Sequence, residues 1–193
     1  MIHASAVIGS DTIIGDGTAV GPFCVVGVDA PDLAPLAIGP GGILRSHVVV
    51  YRGTTIGARF HAGHHVLIRE ATVVGDDVSV GSGSVVEHHV RIGDRVRIHS
   101  GCFVPEFSVL EEGAWLGPAV IVTNARYPNR PDTKERLEGV TVAKDAVVGA
   151  GVVLLPGIVI GARALVGAGA VVVRDVPEGT TVVGNPAREV GGT

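Results

Sequence analysis

Residues 74–98 read VGDDVSVGSGSVVEHHVRIGDRVRI, with an aliphatic side chain at Val74, Val80, Val86, Ile92 and Ile98. The period is six, which fits neither the 3.6-residue turn of a helix nor the irregular turn spacing of an open hairpin sheet. Towards the N-terminus the phase extends without a break through Ile68, Ala62, Ile56, Val50 and Leu44 to Ile38. Towards the C-terminus it continues through Val104, Leu110 and Leu116 to Val122. Ile8, Ile14, Val20 and Val26 keep the same phase ahead of a proline-bearing stretch. After a break at 123–141 the rhythm restarts at Val142, Val148, Leu154, Ile160, Val166 and Val172. Glycine often follows the aliphatic residue, and four places after it stands a small or branched one, such as Thr72, Ser84 or Cys102. Short strands joined by tight corners and stacked into a solenoid satisfy this pattern. Each coil closes the backbone hydrogen bonds of its neighbours, and only the two ends are left as edges.

The composition agrees. With 29 glycines in 193 residues and an apolar 46% drawn mostly from Val, Ile, Leu and Ala, a helical bundle is disfavoured. A mean hydropathy of +0.45 and a net charge of −4 argue against disorder. No run approaches the ~18 apolar residues of a spanning helix, and Met1-Ile2-His3-Ala4-Ser5 lacks the basic start of a signal peptide. A cytoplasmic protein with no membrane partner is therefore expected. Cys24 and Cys102 cannot make a disulfide framework, and no CxxC suggests zinc. A pI near 6.0 gives no footprint for nucleic acid.

The rhythm resembles that of the hexapeptide-repeat acyltransferases, over nearly the whole chain. The closing segment Arg174-Asp175-Val176-Pro177-Glu178-Gly179-Thr180, then Val183-Gly184-Asn185-Pro186-Ala187-Arg188, is similar to that family's end after its last coil. The resemblance implies an all-β, left-handed parallel β-helix with three hexads, about eighteen residues, per coil. It also implies a homotrimer, in which Trp115 and Phe107 stand on or near corners that a partner could cover. One domain over 1–193 is expected, with coils over about 2–122 and 142–183, loops at 28–37 and 123–141, and a tail at 184–193. Within the family, TNARYPNR at 123–130 and EHH at 87–89 look like nucleotide-sugar N-acetyltransferases acting on amino sugars. LIRE at 67–70 resembles, over a shorter match, the nucleotide-sugar acyltransferases of lipid A synthesis.

The break at 123–141 holds Arg126, Tyr127, Arg130, Lys134 and Arg136 with Asp132, Glu135 and Glu138. A polar excursion from a rigid scaffold reads as a functional loop or as a solvated decoration. In the resembling family such a loop reaches a neighbouring subunit's active site, which makes Tyr127 and Arg130 candidate substrate contacts.

Residues eighteen apart would stack about 4.8 Å from one another. One column then reads Arg52, Glu70, His88, Glu106, Asn124, and its neighbour Tyr51, Arg69, Glu87, Pro105, Thr123. A histidine between carboxylates suits a general base, because a carboxylate at one ring nitrogen fixes the tautomer and frees the other. The family resemblance, which places a catalytic histidine in a similar EH corner, points to His88. Relatives often carry an acid directly after that histidine, and this chain has His89, so Glu70, Glu87 or Glu106 must orient it. His99, between Gly81 and Gly117 in its own column, is the second candidate. Asn124 could hold the sugar or the pantetheine arm, or could simply be a turn residue. Arg69 and Arg52 could grip a nucleotide diphosphate, with Arg69–Glu87 or Arg52–Glu70 ion pairs as the alternative. Gly149 stacks with Gly167 and Ala150 with Ala168, small residues that could seat a thiol arm or merely turn corners. The resemblance implies acetyl-CoA there, with Pro186 and Arg188 beside it.

The expected activity is therefore acetyl transfer from acetyl-CoA to the amine of a dTDP- or UDP-linked amino sugar. An O-acetyl or longer-chain transfer is the alternative, and a non-catalytic hexapeptide scaffold is the reading of a different class. The γ-class carbonic anhydrases share the fold, but His61-Ala62-Gly63-His64-His65 lacks the context of their zinc site, and no metal is expected.

Overall fold

Each hexad folds as a strand of about two residues followed by a four-residue corner. The computed structural model describes residues 1–29 and 33–190, and in it three sheets of nine, eight and ten strands, parallel except for the last strand of the third, form the sides of a prism. Face I carries Leu67–Ile68, Val85–Val86 and Phe103–Val104, face II Val73–Val74, Arg91–Ile92 and Val109–Leu110, and face III Ser79–Val80, Arg97–Ile98 and Trp115–Leu116. Leu67 pairs with Val85 and Val85 with Phe103, so one coil is eighteen residues, as the rhythm predicts. The every-sixth aliphatic lies inside: Val86, Ile92, Ile98, Val104 and Leu110 are buried, as are their counterparts from Val20 to Val172, with Ile8 and Ile14 half-buried at the N-terminal end.

The residue four places later closes each corner from within. Where it bears a hydroxyl or thiol, that group bonds to a carbonyl of the next coil: Thr54 to Arg69 O, Thr72 to Glu87 O and Ser84 to His99 O, each at 2.9 Å, and Cys102 Sγ to Gly117 O at 3.2 Å. Ser108 is the exception, its buried hydroxyl having no partner among the described residues. Both cysteines are free and buried, and burial pushes their thiols up. One residue per corner takes the left-handed conformation, for example His89, Arg95 and Gly101, with φ of 58°, 57° and 71°. At the II/III corners these positions stack as Arg59, Asp77 and Arg95, and the bond from Arg59 lowers the Asp77 carboxyl. On the III/I edge Gly83, Gly101, Gly151 and Gly169 leave the ridge bare, with open space where a Cβ would stand.

The outward rows differ. Face I shows only apolar side chains, running Val7, Val25, Val49, Leu67, Val85, Phe103, Ile121, Val153 and Val171. Face III shows His61, Ser79, Arg97 and Trp115 in its middle.

Three boundaries differ from expectation. The loop expected at 28–37 is shorter, because Val28 still pairs with Tyr51 and Leu36 already pairs with Thr12; residues 30–32 lie outside the described set. The break at 123–141 ends one residue early, since Thr141 pairs with Val109, and it contains a 3-10 turn at Thr133–Arg136. The tail is not loose: Arg188–Glu189 folds back antiparallel on Thr181–Val183 and covers an otherwise open strand. Among the described residues, no helix is long and apolar enough to cross a membrane.

Candidate active site

Val86 and Val90 point into the core, which leaves Glu87, His88 and His89 on the outside of the I/II corner. The coil below supplies Arg69 and Glu70, the coil above Glu106, and the departing chain Asn124. Arg69 forks between two acids, with Nη2 2.7 Å from Glu70 Oε1 and Nη1 2.9 Å from Glu87 Oε2, and its guanidinium lies 5.8 Å from the Tyr51 ring centre. Burial alone would raise the Glu70 carboxyl. Its own backbone N–H, the Arg69 guanidinium and the charge of His88 together bring it below its ordinary value. Glu70 and Glu87 are therefore held by Arg69, whereas Glu106 faces the histidine: His88 Nε2 stands 3.5 Å from Glu106 Oε1. Asn124 donates to the other oxygen, Nδ2 to Oε2 at 2.6 Å, and so fixes that carboxylate. The opposite ring nitrogen, His88 Nδ1, meets Nδ1 of His89 at 2.8 Å, a full hydrogen bond, whereas 3.5 Å at Nε2 is not one. Phe107 packs edge-on against His88 at 6.1 Å.

The other proposed residues fall elsewhere. Arg52 shares the column but is turned away from Glu70, towards Asp11 at 3.0 Å, Asp29 at 3.3 Å and Leu33 O at 3.1 Å, where it ties down the first loop. Tyr127 and Arg130 stack on each other, guanidinium over ring at 4.0 Å, in a cavity under the excursion with Arg126, Asp132, Arg136 and Pro156. Gly149 and Gly167 belong to the III/I edge, with Ala150 and Ala168 exposed beside them; a Cβ on Gly149 would lie 2.6 Å from Ala168 N, so coil packing itself requires that glycine. Pro186 and Arg188 lie at the C-terminal end, and Arg188 borders a shallow groove with Arg174 and Asp175.

His99 follows the Arg97–Ile98 strand of face III at the III/I edge, with the width of face I between it and the I/II corner of His88. Its Nε2 accepts from Arg97 Nε at 3.1 Å and its ring lies 4.7 Å from that of Trp115. Burial first, and the Arg97 charge second, hold its pKa below the ordinary 6.5. A lone pair already taken by a guanidinium is not free to accept a proton. Gly63 and Gly81, which coil packing requires because a Cβ would strike the next coil's backbone, form the floor of a cleft whose walls include Arg45, His61, Ser79 and Arg97.

Sequence spacing missed His89, because a contact between adjacent residues depends on the left-handed turn at its φ of 58°. It also missed Arg45 and Arg97. The available signal was the lack of any acid in their columns. The histidine run is dispersed: His64 Nδ1 meets Ser46 Oγ at 2.7 Å and His65 stacks on His47 at 4.5 Å. Among the described residues, no three His, Cys, Asp or Glu side chains converge as metal ligands.

Residues 71–106 match the family described as bacterial transferase hexapeptide (six repeats), and residues 136–156 the hexapeptide repeat of succinyl-transferase. Over 81 residues, 40% of this chain and 44% of the relative, the sequence is 46% identical to nodulation protein L of Rhizobium meliloti. Over 57 residues, 30% of this chain and 18% of the relative, it is 46% identical to an acyl-[acyl-carrier-protein]–UDP-N-acetylglucosamine O-acyltransferase of Mesorhizobium japonicum. The matches thus span less than half the length of either curated relative. The UDP-N-acetylglucosamine acyltransferase of Campylobacter jejuni superposes with a TM-score of 0.85 at 17% identity, over 98% of this chain and 74% of its own, a likeness of fold.

Proposed function

Because the chain belongs to the bacterial hexapeptide-repeat transferase family, we propose that it transfers an acetyl group from acetyl-CoA to the amine of a nucleotide-linked amino sugar. The observation that carries this reading is the His88 ring, held at Nδ1 by His89 and open at Nε2 beside Glu106. In the reacting tautomer His88 donates from Nδ1 to His89, and Nε2 carries the lone pair. The substrate nitrogen forms its bond to the thioester carbon, and its proton passes to Nε2. The resulting imidazolium has Glu106 on one side and His89 on the other. Backbone N–H groups stabilise the tetrahedral oxyanion. The carbon–sulfur bond then breaks, and the CoA thiolate takes the proton back from Nε2.

The thiol arm is assigned to the bare III/I edge, past Gly149, Ala150, Gly167 and Ala168, with Pro186 and Arg188 towards its phosphates. A trimer closed through the apolar row of face I sets each protomer's I/II corner against its neighbour's III/I edge, because those two corners flank the buried face. Base and thioester then meet between subunits.

His88→Ala should lower kcat by ~10²–10⁴, the usual worth of a general base, with CoA affinity nearly unchanged. Retention of most of kcat would remove His88 from this role.

The matched O-acyltransferase favours a second reading, transfer to a hydroxyl. The product decides: an ester is cleaved by hydroxylamine and an amide is not.

A further inference from the structure

The two arginines expected to bind a nucleotide diphosphate are both occupied, Arg52 by Asp11 and Asp29 and Arg69 by Glu70 and Glu87. We propose instead that the cleft on face III is the site for a nucleoside diphosphate moiety, with Arg45 and Arg97 on its phosphates and His61 between them. This deepens the proposed function and rests on it only for the ligand's part in the reaction.

The argument begins with charge. Charge balance alone does not single out an arginine here, since of thirteen arginines only six make an ion pair among the described residues. Among the described residues Arg52, Arg59, Arg69, Arg95, Arg136 and Arg163 each pair with a carboxylate. Arg45 and Arg97 are among those without a carboxylate partner, and they share a cleft that no acidic residue lines, whereas the hollows of Arg126 and Arg130 and of Arg174 and Arg188 contain acids. Two guanidinium forks facing an acid-free hollow attract phosphate oxygens, which they match in geometry.

Shape supports the same ligand. Along face III the outward row runs Ile43, His61, Ser79, Arg97, Trp115, each one strand above the last. Arg45 lies beside the first of these and Arg97 three strands higher, about 14 Å along the face. Gly63 and Gly81 leave the floor between them without side chains. Arg97 is steadied by its Nε bond to His99 at 3.1 Å, which leaves its terminal nitrogens for a ligand. Trp115, one strand above Arg97 with the His99 ring tilted against it at 4.7 Å, offers an aromatic surface for a base at the upper end. The diphosphate could belong to the nucleotide sugar or to CoA, since both contain one.

Trp115 is the single tryptophan and pairs with Arg97 at the upper end of the cleft, so its fluorescence is the readout. The full chain is titrated with pyrophosphate, UDP, dTDP and CoA at low and high salt. Binding that weakens with salt, and that falls at least about tenfold in Arg45→Ala and in Arg97→Ala but not in Arg59→Ala, is the expected result. Arg97→Lys, which keeps the charge and the stem, should retain part of the affinity. UDP or dTDP binding without competition from CoA assigns the site to the sugar nucleotide; CoA binding lost in the same variants assigns it to CoA. Absence of binding by all four probes, or affinities unchanged in both alanine variants, overturns the proposal. Anion binding of the expected kind without any acyl transfer would overturn the reading of the reaction and leave the site standing. Acyl transfer with KM values unchanged in both alanine variants would do the reverse.

Discussion

A histidine beside an unpaired guanidinium resists a second proton, and His99 lies 3.1 Å from Arg97 Nε. Its pKa is depressed by burial and then by that charge. In an NMR titration its midpoint should fall below 6.5, and Arg97→Gln should raise it while leaving the part due to burial. The sign follows for folding as well. Stability contributed by the neutral ring is present above the unfolded pKa and is lost as pH falls through the lower folded value. A midpoint that ignored Arg97→Gln would remove the guanidinium as a cause. The coil columns were enough to bring Glu106 and Asn124 to His88 from sequence alone. They could not say which carboxylate Arg69 would take, because side-chain forks reach neighbours in both directions. They misled at Arg52, whose acids come from Asp11 and from Asp29 in the longer second coil.

The corner hydroxyls give the elements an internal control. Ser84 Oγ donates to His99 O at 2.9 Å, whereas the buried Ser108 Oγ has no partner. The regular rule would send Ser108 to the carbonyl of residue 123, the point at which the chain leaves the coil. Ser84→Ala should therefore cost ~1–2 kcal/mol and Ser108→Ala close to nothing, or a slight gain, in urea denaturation. Equal costs would mean that the bonds are not what closes the corners. The Arg69 fork gives a pH counterpart. Glu70 has a lowered folded pKa, so its contribution is present above its ordinary 4.5 and is lost as pH falls through the folded value. Glu70→Gln should destabilise by ~0.5–1.5 kcal/mol at neutral pH, with the gap to the parent closing in acid; a gap unchanged at low pH would exclude the charge as its source. Strand positions were legible because each is a repeat of six. Boundaries at 28–37, 141 and the tail were not, since they depend on pairing with residues distant in sequence, such as Leu36 with Thr12.

At the scale of the molecule, the nine-residue apolar row of face I is the surface that water should least tolerate. Light scattering should give about three times the 19.6 kDa of one chain, and a stable monomer would remove the shared site along with the trimer. Co-refolding His88→Ala with Arg97→Ala chains should restore activity above the sum of the two alone, because mixed trimers contain one intact junction of corner and cleft. Strictly additive activity would confine the chemistry to a single protomer. Which face is apolar could have been read by sorting every sixth outward residue. Which corners then meet required knowing how the sheets follow one another around the prism. The excursion at 123–140 carries a last consequence. Val109 pairs with Thr141 and Ile121 with Val153 as though the fourteen added residues were absent, so the strands below and above do not register the length of what leaves between them. Such a corner is a socket. Segments of other lengths and chemistries can be exchanged there without retuning the prism, so a chain with the excursion replaced should keep the unfolding midpoint of its scaffold.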